Sequence, residues 1–126
     1  MRSPSHPAMA DVRPEAILHA LSDPCRAAIF AKITGEGFVD TCSALSALGQ
    51  RVIPKSSLSN HLRVLREAGL IRCERRGVEM QNHSRIAEVE ARFPGLLHAI
   101  IAAYARDGGG PRGPAPAPDA AAVPRP

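Results

Sequence analysis

The chain has 126 residues, of which 44% are apolar and only 3% aromatic, and carries a formal charge of +4. That length fits one domain, and its core must be aliphatic, built from Leu, Ile, Val and Ala. There is no run of about 18 apolar residues and no apolar leader stretch, so neither a membrane span nor a signal peptide is expected.

The three cysteines, Cys25, Cys42 and Cys73, form no CxxC pair and no disulfide-like framework. Reduced thiols and a cytoplasmic location are the expectation. No Gly-rich phosphate loop or nucleophile motif is present, so an enzyme is not expected, nor is a cofactor. The charge is uneven. Between Lys55 and Arg85 seven basic residues meet three acidic ones, which leaves +4 there and zero over the rest. A local basic excess is the footprint of a polyanion partner, although a solvated basic surface gives the same count.

Residues 1–12 are polar and Pro-containing and read as a flexible segment. Arg13 to Leu21 reads as a short helix with Pro14 in its first turn and a stripe of Ile17, Leu18 and Leu21. Asp23 can cap the next helix and Pro24 can start it, with Ala28, Ile29 and Ile33 facing inward and Phe30 close by. Gly35-Glu36-Gly37 ends it. A third short helix is expected from about Thr41 to Leu48, with Leu45 and Leu48 inward, followed by a turn over residues 49–54.

Lys55 to Ala68 is the most informative stretch. Leu58, Leu62 and Leu65 make one apolar stripe. Ser56, Ser59, Asn60 and Arg63 lie off it, on a face of short hydrogen-bonding and basic side chains. Such a helix suits the DNA major groove while its back packs on a core. Gly69 can take the left-handed conformation that closes it. The segments from Leu70 to Glu74 and Val78 to Ile86 then read as two strands about an Arg75-Arg76-Gly77 turn, a wing with a basic tip. Ala87 to Arg92 looks helical, Phe93-Pro94 breaks it, and Pro94 to about Arg106 is a last helix with a stripe of Leu97, Ile100, Ile101 and Tyr104. A terminal helix this apolar in a small domain points to a two-fold interface. Residues 107–126 hold six Pro, five Ala and four Gly and should be disordered.

The segment Ile17 to Ile86 resembles the ArsR/SmtB family of winged helix-turn-helix repressors. The likeness is carried by Leu18 to Arg26 (LHALSDPCR), by Lys55 to Ile71 with its Ser59–Leu70 core (SNHLRVLREAGL), and by the Arg72–Ile86 hairpin. It implies a mainly α fold with a small β-hairpin (α+β), a dimeric winged helix-turn-helix over residues 13–106. It also implies a homodimer on double-stranded DNA at a palindromic operator, released by a signal. Carried over by position, Lys55, Ser56, Ser57, Ser59, Asn60 and Arg63 would face DNA, with Asn60 suited to adenine. His61 would bond a phosphate or be a buried histidine between helix and wing. Arg75 and Arg76 would be wing contacts, or plain solvated arginines. Arg26 would touch a phosphate or sit in a local ion pair. Leu97, Ile100, Ile101 and Tyr104 would form the dimer interface.

Metal sensing does not carry over. One site of that family needs two thiols before the turn, where this chain has only Cys42 in Thr41-Cys42-Ser43. The other needs an Asp-x-His on the last helix, where only His98 stands. Neither supplies about four ligands to zinc. A thiol switch at Cys42, an organic effector near the dimer interface, or no effector remain open. The rival function is a winged-helix protein-interaction module without specific DNA binding.

Overall fold

A computed structural model describes residues 6–40, 47–48 and 51–107. A 3-10 turn, Met9–Asp11, precedes helices α1 (Pro14–Leu21) and α2 (Pro24–Glu36). Strands β1 (Phe38–Asp40), β2 (Ala47–Leu48) and β3 (Arg51–Val52) follow. Helix α3 (Lys55–Glu67) leads into strands β4 (Ile71–Arg76) and β5 (Glu79–Ser84) and helices α4 (Ile86–Arg92) and α5 (Leu96–Arg106). The fold is α+β, a winged helix-turn-helix. Among the described residues no helix is long and apolar enough to cross a membrane.

The α1–α2 corner forms as its residues dictate. Asp23 accepts hydrogen bonds from the Cys25 and Arg26 amides at 2.8 and 3.3 Å, and Pro24 fills the first helical position. Ile29, Phe30 and Ile33 are fully buried, with Ala27 rather than Ala28 completing that face. Ile17 and Leu21 of α1 join them, but Leu18 is 53% exposed and leaves the stripe expected of it. In α3, Leu58, Leu62 and Leu65 are buried against α1 and α2.

Helix α3 closes as a Schellman motif. The Leu70 amide donates to the Leu65 carbonyl and the Gly69 amide to Arg66. Gly69 is required twice over: its φ is +88°, and a Cβ there would meet Val12 Cγ2 at 2.3 Å.

Three expectations are corrected. Ala47–Leu48 are not the end of a helix but pair antiparallel with Arg51–Val52; the rest of the expected third helix, with Leu45 and Cys42, lies outside the described residues. Phe38–Asp40, given no element of its own from the sequence, is a strand on the outer side of β5, so the sheet has the order β1-β5-β4. Gly37, at φ +86°, ends α2 and turns the chain into it. The wing turn starts two residues later than read: Arg75 and Arg76 are still strand, paired with Met80 and Glu79, and Gly77-Val78 make the turn. Gly77 carries positive φ and Val78 does not, the pattern of a type II′ hairpin.

The N-terminal segment is also held more firmly than its composition announces. His6 Nε2 accepts the Cys73 amide proton at 2.9 Å, on the open edge of β4. Arg85 donates to the Pro7 carbonyl, Arg92 donates to those of Met9 and Val12, and Val12 is buried. The segment expected to be flexible thus makes these contacts from His6 onward. Residues 108–126 lie outside the described part.

Candidate nucleic-acid interface

Helix α3 separates its two faces cleanly. Opposite the leucine stripe, Ser56, Ser59, Asn60 and Arg63 fall at positions that share one side of a helix, and all four are exposed. Lys55 is exposed at the first turn and Ser57 is half-buried. Pro54 precedes the helix, and no described side chain caps it. The first-turn amides beside Lys55 and Ser56 are thus directed outward from a helix N-terminus, which favours anions.

The face is internally tied. Arg63 Nη2 donates to Asn60 Oδ1 at 2.6 Å, and Arg63 Nη1 lies 3.3 Å from Glu67 Oε1. These contacts are exposed, so they hold the side chains in place at small cost to remake. On the wing, Arg75, Arg76, Gly77 and Val78 are exposed, Val78 at 89%. Glu74 gathers the neighbouring charge: Arg72 lies 3.0 Å away, Arg76 3.4 Å and His83 3.8 Å. The hydrogen bond from Arg72, helped by His83, Arg72 and Arg76 charge, holds the Glu74 carboxyl below its ordinary range.

His61 lies off the exposed face of α3. It is half-buried, and its Nδ1 has no partner among the described residues. Burial lowers its pKa, against Asp23, which raises it, and with Arg26, which lowers it. Those neighbours place it against the α1–α2 corner. Arg26 makes the local ion pair expected of it, with Asp23, but from a buried position and not on the helix surface. It is buried, and its Nε donates to the Ala20 carbonyl at 2.7 Å and Nη2 to His19 at 3.3 Å, with Asp23 at 3.7 Å. The guanidinium caps the C-terminal end of α1.

The last helix needs a similar correction. Leu97 is wholly buried within the protomer and offers no surface to a partner. Ile100, Ile101 and Tyr104 are half-buried and, with Phe30, line an apolar cleft of about 120 Å³ between α2 and α5. The Tyr104 hydroxyl donates to the Leu21 carbonyl. The N-terminus of α5 is capped by Glu90, whose carboxylate accepts from the Gly95, Leu97 and His98 amides; those bonds hold its pKa down.

Two residues of structural weight carried no sequence signal. Asn82 is fully buried; its Nδ2 donates to the Val39 carbonyl at 3.1 Å and its Oδ1 accepts from the Cys73 thiol at 3.2 Å, tying all three strands together. A single Asn in a polar-looking strand gives no hint of this. Arg85, counted with the basic segment, is buried and bound to Glu88 and Pro7. Among the described residues no three His, Cys, Asp or Glu side chains stand together as a metal site.

No curated protein matches the chain. Residues 21–74, from the end of α1 to the middle of β4, match the family model described as a helix-turn-helix domain. A DNA-binding regulator is what that match supports. The chain therefore carries a helix-turn-helix domain, completed by a β4–β5 wing.

Proposed function

We propose that the chain is a sequence-specific transcriptional repressor of the ArsR/SmtB kind, binding a palindromic operator as a homodimer. The observation that carries this is the exposed α3 face of Ser56, Ser59, Asn60 and Arg63, set beside a helix N-terminus and flanked by the wing arginines Arg75 and Arg76. Short polar side chains let the helix backbone approach base edges, Asn60 can pair with adenine, and the arginines reach phosphates. The α5 surface at Ile100, Ile101 and Tyr104 is the seam on which a second copy packs, and the adjoining apolar cleft can lodge an organic effector. Oxidation at Cys42 is the competing means of release.

Selection of bound duplexes from a random pool, with the reduced protein at low salt, tests the reading. An enriched imperfect palindrome with half-sites about one helical turn apart supports a dimeric regulator. Its affinity should fall by orders of magnitude between low and moderate salt, because many phosphates are engaged. No enriched sequence from a verified dimer shifts the assignment to the protein-interaction module. Adding peroxide, metals or small organic compounds to the bound complex then identifies the releasing signal.

A further inference from the structure

The flank of α3 that meets the wing adjoins the exposed face and shares Ser59 and Arg63 with it. Ser59, Leu62, Arg63 and Arg66 from α3, with Cys73 and Asn82 from the strands, line a cleft of about 300 Å³. Its floor is neutral, formed by Leu62, Cys73 and Asn82, whose polar atoms are already engaged with one another and with Val39. Its mouth holds two guanidinium groups and a hydroxyl, and no carboxylate lines it.

Arg66 is the cleft's other cation. It is half-buried and hydrogen-bonds the Cys73 side chain, and its Nε is closed to solvent. A phosphate cannot reach a closed Nε, so it would meet the guanidinium through its terminal Nη groups. Planar, two-point acceptance is what a phosphate oxygen pair offers a guanidinium. Arg66 follows Ser59 by two turns, about 10 Å along the helix. It is rotated roughly 120° from Asn60, at about 100° per residue. A side chain there points to the seam between helix and wing, not to the groove floor. A helix lying in the major groove presents that flank to a sugar–phosphate strand.

We propose that the cleft between α3 and the wing seats one phosphodiester group of the DNA backbone, held by Arg66 with Ser59 and Arg63 at the mouth. The inference rests on the DNA-binding reading above and extends it to a residue outside the base-reading face. Such a contact positions the helix and carries no sequence information.

The test compares wild type with Arg66→Gln on the selected duplex and on a scrambled one, across a salt series. Loss of one phosphate contact should make the slope of log affinity against log salt shallower by about one per protomer. Affinity should fall by the same factor on both duplexes, on the order of ten-fold. An unchanged slope in a folded variant overturns the proposal, and so does a loss confined to the selected sequence. If the variant does not fold, the ¹⁵N-labelled wild type decides. The Arg66 Nε–Hε resonance should move on titration with duplex, further than with inorganic phosphate at equal ionic strength. No movement, or movement with inorganic phosphate alone, overturns a backbone seat. A wild type that binds no duplex at all fells the regulator reading and this inference together, whereas wild-type binding with an indifferent Arg66 fells the inference alone.

Discussion

Two sets of arginines stand in this molecule, and they differ in what they face. Arg26, Arg85 and Arg92 turn inward or along the chain and donate to backbone carbonyls: Ala20 and His19, Pro7, and Met9 with Val12. Arg63, Arg75 and Arg76 are exposed; Arg63 lies beside Glu67 and Arg76 beside Glu74. The first set joins segments distant in sequence, by as many as 83 residues. In the second set, the carboxylates beside Arg63 and Arg76 are local: Glu67 is one helical turn from Arg63 and Glu74 two residues from Arg76. A carbonyl bonded inside the protein cannot be exchanged for a phosphate without opening the fold, whereas an exposed carboxylate can. Charge alone does not separate the sets; the partner does.

The sharpest way to break this comparison is Arg26→Ala. It orphans carbonyls at the end of α1 and leaves Asp23 without its cation, at a cost of about 3 kcal/mol. The melting temperature should fall by roughly 10 °C in a domain of this size. Below that melt, DNA affinity per folded molecule should be unchanged. If Arg26→Ala instead binds DNA more weakly with an unaltered melt, Arg26 belongs to the second set and the division is wrong.

Next in size is the reading face. Asn60→Ala and Arg63→Ala should each weaken binding to the selected operator by a factor equivalent to about 1–3 kcal/mol, with less loss on scrambled DNA. Both side chains are exposed, so thermal stability should shift by less than about 0.5 kcal/mol. Operator binding at wild-type strength by both variants would move base reading off this face.

How much of this was legible depended on whether a residue's role is local. The leucine stripe of α3, the Asp23-Pro24 corner and the Gly69 stop follow from spacing and backbone chemistry within a few positions, and all three stand as read. So does the separation of Ser56, Ser59, Asn60 and Arg63 from that stripe. The failures are non-local. Leu97 looked like surplus apolar surface because nothing in its helix shows that the rest of the protomer already covers it. Phe38–Asp40 became a strand because β5 lies beside it, 43 residues on, and a three-residue segment has no period to announce that. The wing turn moved because Arg75-Arg76-Gly77 carries its signal only in Gly77, and the pairing of Arg76 with Glu79 fixed which residues flank it. Arg26 makes the local ion pair with Asp23, but its burial comes from carbonyls six and seven positions back across a helix break, which no local pattern announces.

The smallest expected effect lies at His6, beside Arg85 of the first set. Its Nε2 can accept the Cys73 amide proton only while the ring is neutral. Burial lowers its pKa from the ordinary 6.5, and Arg66, Arg85 and Arg72 push the same way against Glu74. His61 is lowered too, by burial first. A base with a depressed folded pKa binds fewer protons folded than unfolded, so its contribution is complete above the ordinary value of 6.5. It is lost as pH falls from there through the folded pKa. The lowered carboxyls of Glu74 and Glu90 act further down, being complete above 4.5 and lost below it. Stability measured by urea unfolding should therefore decline between about pH 6.5 and 5, before the carboxylates contribute. His6→Gln keeps an acceptor for the Cys73 amide and removes the titration, so it should flatten part of that decline and leave the part belonging to His61. An identical decline in His6→Gln would mean that the N-terminal segment is not held to β4 through this ring, and Arg85 and Arg92 alone would have to secure it.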